Sequence, residues 1–125
     1  NLIVNANDAM PKGGTVIVRA GLVTISAPLN VAGGHSLPRG RYVSYDVRDT
    51  GEGIPAEHLA LVVEPFFTTK PEGKGTGLGL AMVLSIAQGL GGGVLIRSGA
   101  RGTTVSVLLP QVECKEVVGS DGADT

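Results

Sequence analysis

The spacing of apolar and polar positions along this 125-residue chain changes period several times. Residues 1–10 (NLIVNANDAM) carry the spacing of a helix end, and Pro11 with Gly13 and Gly14 stops it. Residues 15–20 (TVIVRA) and 22–27 (LVTISA) alternate and are β-branched, which predicts two strands with a tight turn or bulge at Gly21. Residues 28–40 hold two prolines and three glycines and read as loop. Residues 41–49 (RYVSYDVRD) form a third strand, and residues 50–55 (TGEGIP) a glycine-rich turn. Residues 56–63 make a short helix with Pro55 near its start. Residues 64–76 are a second loop, and residues 77–89 the longest helix, stopped by Gly91, Gly92 and Gly93. Residues 94–97 and 103–109 read as a closing hairpin.

This order is not a regular βαβα alternation. It predicts an α+β fold, a two-layer sandwich with a mixed, mostly antiparallel sheet and helices on one face. Residues 1–110 form one domain, and residues 111–125, with four acids and one base, form a tail or linker. The chain starts at Asn1 inside a helix pattern, so it is expected to be a piece of a longer protein.

Composition narrows the function classes. Val, Leu, Ile and Phe make up about 30% of the chain, above the ~20% below which disorder is expected. The core is aliphatic, since only two Phe, two Tyr and no Trp are present. A formal charge of −1 lacks the basic footprint of a nucleic-acid binder. No apolar run approaches the ~18 residues of a membrane span. The single Cys114 excludes an internal disulfide framework and a Cys-rich zinc site, and fits a reducing compartment.

Four segments carry candidate chemistry. Asn1, Asn5 and Asp8 stand at i, i+4 and i+7 on one helix stripe, either a solvated face or a polar ligand-facing one. An Asn amide oxygen suits Mg²⁺ when phosphates supply the negative charge. Asp49 ends a strand and is followed by Gly51 and Gly53. That is an ordinary turn, or a base pocket in which the acceptor-only carboxylate takes adenine's amino group and the glycines admit a flat ring. Gly75, Gly77 and Gly79 alternate into a helix and can point N–H groups at an anion; the alternative is a flexible loop before a core helix. The segment is neither a Walker A loop nor a dinucleotide fingerprint, because Gly75 follows Lys74 and the third glycine is missing. Glu64 to Lys70 (EPFFTTK) holds both Phe residues, as a lid anchor or as a helix end docked into the core.

In order, NLIVNANDAM, DTGEGIP, EPFFTTK and GKGTGLGLAM resemble the N, G1, F and G2 boxes of the ATP-binding domain of two-component sensor histidine kinases. The closing GTTVSVLLP is similar to that domain's last strand, so the resemblance covers residues 1 to about 110. It implies a Bergerat-type ATP-binding fold, here without the first strand and the start of the first helix. It implies ATP and Mg²⁺ as cofactors, with Asn5 as the metal ligand and Asn1 and Asp8 near the phosphates. Asp49 would hold the adenine amino group, with Gly51, Gly53, Ile54 and Thr103 around it. Residues 64–76 would be the ATP lid, bringing Phe66, Lys70 and Lys74. Gly75, Thr76, Gly77, Leu78, Gly79 and Leu80 would surround the phosphates.

The same resemblance implies a cytoplasmic protein-histidine kinase domain. Its partners would be the histidine-containing dimerisation domain of the same protein and a response-regulator receiver domain, with no nucleic acid and no membrane contact. His35 and His58 do not stand in phosphoacceptor contexts, so the chain alone is not expected to phosphorylate itself. Two other readings stay open: an ATP-driven conformational clamp, and a module that has lost nucleotide binding. Clamp relatives place a general-base Glu four residues before the magnesium Asn, where this chain has Asn1, and an amide is no base near neutral pH.

Overall fold

The computed structural model describes residues 2–59, 61 and 79–112. The elements are α1 (Leu2–Asp8), β1 (Val16–Ile25), β2 (Leu29–Val31), β3 (His35–Leu37), β4 (Gly40–Asp49), α2 (Ala56–Leu59), α3 (Gly79–Gly89), β5 (Gly93–Gly99) and β6 (Gly102–Pro110). Four strands form a sheet in the order β1-β4-β6-β5, and every pair in it is antiparallel. The architecture is α+β, and among the described residues the sheet is antiparallel throughout, with no parallel pair.

The two strands expected around Gly21 are one. β1 pairs with β4 without interruption from Val16↔Asp49 to Ile25↔Gly40, and Gly21 sits opposite Ser44 inside the ladder. A reversal needs at least about two loop residues, often with positive φ, and Gly21 supplies neither. The expected loop at residues 28–40 also folds. β2 and β3 pair as a small hairpin from Leu29↔Leu37 to Val31↔His35, around a 3₁₀ turn at Ala32–Gly34. Gly33 and Gly34 both have positive φ there, and the prolines on either side hid the short alternation of Leu29, Val31 and Leu37.

Alternation along the strands decides which face each side chain takes. One face of the sheet carries Val47, Asp49, Val94, Val105, Val107 and Leu109. On it lies α3, whose Leu84 and Ala87 pack with Val94 in one apolar cluster. α1 lies over β4 and β1 beside α3. The opposite face carries Tyr42, Ser44 and Leu108 at one end, covered by Val31 and Leu37 of the hairpin. Burial along β4 therefore changes phase, from Tyr42 and Ser44 to Val47 and Asp49, with no bulge in either ladder. The two ends of the strand are covered from opposite sides. Tyr42 anchors the hairpin end by donating its hydroxyl to the Pro38 carbonyl at 2.7 Å.

The termini of α3 follow from its residues. The Gly92 N–H donates to the Ala87 carbonyl at 2.8 Å and the Gly91 N–H to Gln88 at 3.0 Å, with Gly91 at φ 82°. This is the paired closure that a left-handed residue after a helix allows, and it turns the chain straight into β5. No helix among the described residues is long and apolar enough to cross a membrane.

Leu84→Ala should destabilise the domain by about 2–5 kcal/mol, because it empties a site between helix and sheet. Leu22→Ala, at a side chain 67% exposed, should cost less than about 0.5 kcal/mol. Urea unfolding of the two variants checks the contrast.

Candidate nucleotide-binding site

Three elements converge where β4 ends: the exit of α1, the turn at residues 50–55, and the β5–β6 hairpin. Asp49 is the last residue of β4 and is buried. A buried carboxylate needs hydrogen bonds to remain charged at tolerable cost. Its Oδ1 accepts the Gly51 N–H at 2.9 Å and the Thr103 N–H at 3.2 Å. Hydrogen bonds to a charged group contribute about 1.5–3 kcal/mol each. One carboxylate oxygen thus joins the turn to β6, and the other is left for a further donor.

Ser98 is the second centre of this framework. Its Oγ accepts the Ile54 N–H at 2.6 Å and lies 2.7 Å from Thr103 Oγ1, with the Gly102 carbonyl at 3.4 Å. Sequence reasoning treats Ser98 only as the start of a turn. The register Ser98↔Thr103 puts both hydroxyls side by side on the face that carries Asp49. A cross-strand Ser–Thr pair facing an Asp at a neighbouring strand end was the available signal.

The glycines of the turn serve backbone packing first. A side chain at Gly51 would run into the Ala9 carbonyl, and one at Gly53, where φ is 81°, into the Gly99 carbonyl. Close approach therefore seats the turn between the α1 exit and the β5–β6 hairpin. Thr50 adds to this seating: its Oγ1 accepts the Thr15 N–H at 3.0 Å and lies 3.5 Å from Met10 Sδ. A cavity of about 610 Å³ opens beside the turn. Its walls are Glu52, Gly53, Ile54, Pro55 and Leu59 on one side and Ser98, Gly99 and Ala100 on the other.

Asn5 and Gly79 meet at a second point. Asn5 is half-buried on α1, and a Cβ placed at Gly79 would lie 3.3 Å from its Nδ2. A side chain at Gly79 would crowd the Asn5 amide at the first turn of α3, and a helix N-terminus favours an anion. Asp8 is exposed one turn further along α1. Leu80 packs into the cluster of Leu84, Ala87 and Val94, so it supports the start of α3 from the core side. Among the described residues no three His, Cys, Asp or Glu side chains gather as a metal cluster. A divalent cation at Asn5 would therefore depend on this neutral amide and on oxygens that its ligand brings, the donor set that suits Mg²⁺ with phosphates.

The structure thus brings Asp49, Gly51, Gly53, Ile54 and Thr103 into one framework, and Asn5 against Gly79. The cavity takes in Gly53 and Ile54 but not Asp49 or Asn5. Asn1, Phe66, Lys70, Lys74, Gly75, Thr76, Gly77 and Leu78 lie outside the described residues, as do the rest of the lid segment and the tail from residue 113.

The family model of histidine kinase-, DNA gyrase B- and HSP90-like ATPases matches residues 1–113. The chain belongs to this family. Within it, the relatives are sensor histidine kinases. The sensor kinase CckA of Brucella abortus is 46% identical over 115 residues, 90% of this chain and 12% of that protein. The sensory histidine kinase/phosphatase NtrB of Azospirillum brasilense is 34% identical over 122 residues, 95% of this chain and 29% of that protein. Among solved structures, the mycobacterial sensor histidine kinase MprB aligns with a TM-score of 0.62 at 30% identity, over 87% of this chain and 64% of that one. The chain therefore spans less than a third of the length of these curated relatives, and corresponds to the ATP-binding domain of the sensor histidine kinase type.

In this histidine-kinase-type domain, Ser98→Ala should lower stability by about 1–3 kcal/mol, since the Ile54 N–H and the Thr103 hydroxyl lose their partner. Gly53→Ala should cost about as much through strain alone, and more through the contact with Gly99. Denaturant midpoints test both. An unchanged midpoint for Ser98→Ala would remove that residue from the framework.

Proposed function

We propose that this domain binds Mg-ATP and presents the γ-phosphoryl group to a histidine on a separate helical domain, for relay to a response-regulator aspartate. The observation that carries the reading is the Asp49 carboxylate, buried at a strand end with one oxygen committed to two backbone N–H groups. Its remaining oxygen is an acceptor suited to adenine's exocyclic amino group. Guanine places a carbonyl there, and two acceptors would then oppose each other. The relatives' identity as sensor histidine kinases supports the phosphotransfer part.

Bound Mg-ATP supplies the transferable phosphoryl group and much of the charge neutralisation that this chemistry requires. The chain's own residues position it. Asp49 orients the base, and Gly53 and Ile54 form the wall beside it. Asn5 offers its amide oxygen to the cation, and the first turn of α3 offers N–H groups to the phosphates. Catalysis in this reading is placement and electrostatics, with no covalent step by the domain itself. A helical acceptor domain has a surface to meet: Met82 and Ile86 on α3 and Leu90 just past its end stand four residues apart and are each about 60% exposed. The acceptor domain, the response regulator and a cytoplasmic setting are parts of this proposal.

Calorimetric titration with a non-hydrolysable ATP analogue, with and without Mg²⁺ and against a GTP analogue, tests the reading. Magnesium-dependent binding that prefers adenine is expected; absent or base-indifferent binding would refute it. Asp49→Asn keeps an oxygen for Gly51 and Thr103 but places an amide donor toward the base. It should weaken ATP-analogue binding at least tenfold, about 1.4 kcal/mol, and narrow the preference over GTP, with thermal unfolding run in parallel to confirm folding. Asn5→Asp should change the magnesium dependence by adding a negative charge beside phosphates. If that dependence is untouched, Asn5 is not the ligand.

A further inference from the structure

The strands that carry the Asp49 framework present a different row on their reverse face. In register, Arg48 of β4 stands opposite Thr104 of β6, and Thr104 opposite Arg97 of β5. Alternation places all three on the side away from the helices. Arg101, in the turn between β5 and β6, completes the group. Together with Ser98, Gly99, Ala100 and Gly102 these residues line a hollow of about 380 Å³. Three of the chain's ten basic residues meet here, and no acid among the described residues lines the hollow. The charge is thus concentrated in a chain whose formal total is only −1.

The chemistry of the lining is specific. Guanidinium groups present planar forks of N–H donors that match the oxygens of phosphate, and they stay charged at any physiological pH. Arg48 and Arg97 are two strand spacings apart, roughly 10 Å between backbones, so two forks can close on a ligand from opposite sides. Thr104 lies between them with a hydroxyl, and Gly99 is exposed with open space where a side chain would stand. All three arginines are exposed, so the full extent of their forks is available to a ligand. Like charges held together repel; Asp46, two positions before Arg48 on the same face of β4, is outside the lining, and an anion of two or more charges in the hollow offsets that repulsion.

The geometry points to a binding site for a small phosphate-bearing anion of at least two charges in the hollow of Arg48, Arg97, Arg101 and Thr104. It is separate from the nucleotide site, which lies on the other face of the same strands. The two share the wall of Ser98, Gly99 and Ala100.

The test is titration of the full chain with pyrophosphate at constant ionic strength of about 0.15 M, where surface charges are screened beyond roughly 8 Å. Backbone amide resonances locate the site. Saturable shifts at residues 97–104 and at Arg48 are expected. They should weaken at least tenfold in the Arg48→Gln/Arg97→Gln double variant, whose thermal unfolding should match the parent because both side chains are exposed. Glycerol phosphate should bind at the same resonances more weakly than pyrophosphate, as a single phosphate group reaches fewer forks. Shifts confined to α1 and the start of α3 would mean that pyrophosphate reads only the nucleotide site, and would overturn the proposal. Non-saturable shifts, or shifts indifferent to the double substitution, would overturn it too. Citrate binding as tightly as pyrophosphate would overturn the phosphate assignment. Binding that emerges only after deletion of the acidic residues 113–125 would give the hollow to that segment instead.

Discussion

The candidate site depends on one buried charge. Asp49 stands at the end of a central strand, inside the layer between sheet and helices, and is stable there because Oδ1 takes the N–H groups of Gly51 and Thr103. Those two bonds join segments more than fifty residues apart in sequence. They pull the glycine turn onto β6, and β6 carries the turn's other support, since Thr103 lies against Ser98 and Ser98 holds Ile54. Without the carboxylate, two N–H groups and the register of the turn lose their common partner. In the proposed function the same residue reads the base, so stability and recognition rest there on one side chain that uses a different oxygen for each.

Close backbone contact is the second constraint. The turn at residues 50–55 is wedged between the Ala9 carbonyl and the Gly99 carbonyl, and only glycine fits at positions 51 and 53. This couples the exit of α1, the base-side wall and the β5–β6 hairpin into one rigid corner. The corner has two faces. On the helix side the row of Asp49, Thr103 and Ser98 carries one carboxylate held by hydrogen bonds. On the reverse side the row of Arg48, Thr104 and Arg97 carries two guanidinium groups, so the two sides differ in electrostatic character despite sharing three strands.

Much of this was legible from local pattern. The helix ending at Gly89, the strand ending at Asp49 and the closing hairpin follow from period, β-branching and glycine punctuation, and their boundaries agree within one or two residues where described. The α+β class, with a mostly antiparallel sheet, followed from the irregular order of elements. Two local readings failed for the same reason. Gly21 looks like a turn, and residues 28–40 look like loop, because glycine and proline are read as breaks. Partner strands overrode that reading: β4 is long enough to keep β1 straight through Gly21, and Val31 and Leu37 find a covered face against Tyr42 and Leu108. That every described pair of the sheet is antiparallel likewise needed the actual pairings.

The residue types that chemistry requires were determined by the chain alone: an amide at position 5, a carboxylate before a double-glycine turn, and glycines leading into a helix. These are short-range signatures, because each depends on neighbours within a few positions. Only the tertiary structure decided that Ser98 is a hub, that the glycines at 51 and 53 serve carbonyl contacts as well as any ligand, and that Arg48, Arg97 and Arg101 meet on the reverse face. Those facts arise from register between strands far apart in sequence. Register is settled by which faces can be buried together, and no local spacing contains that information.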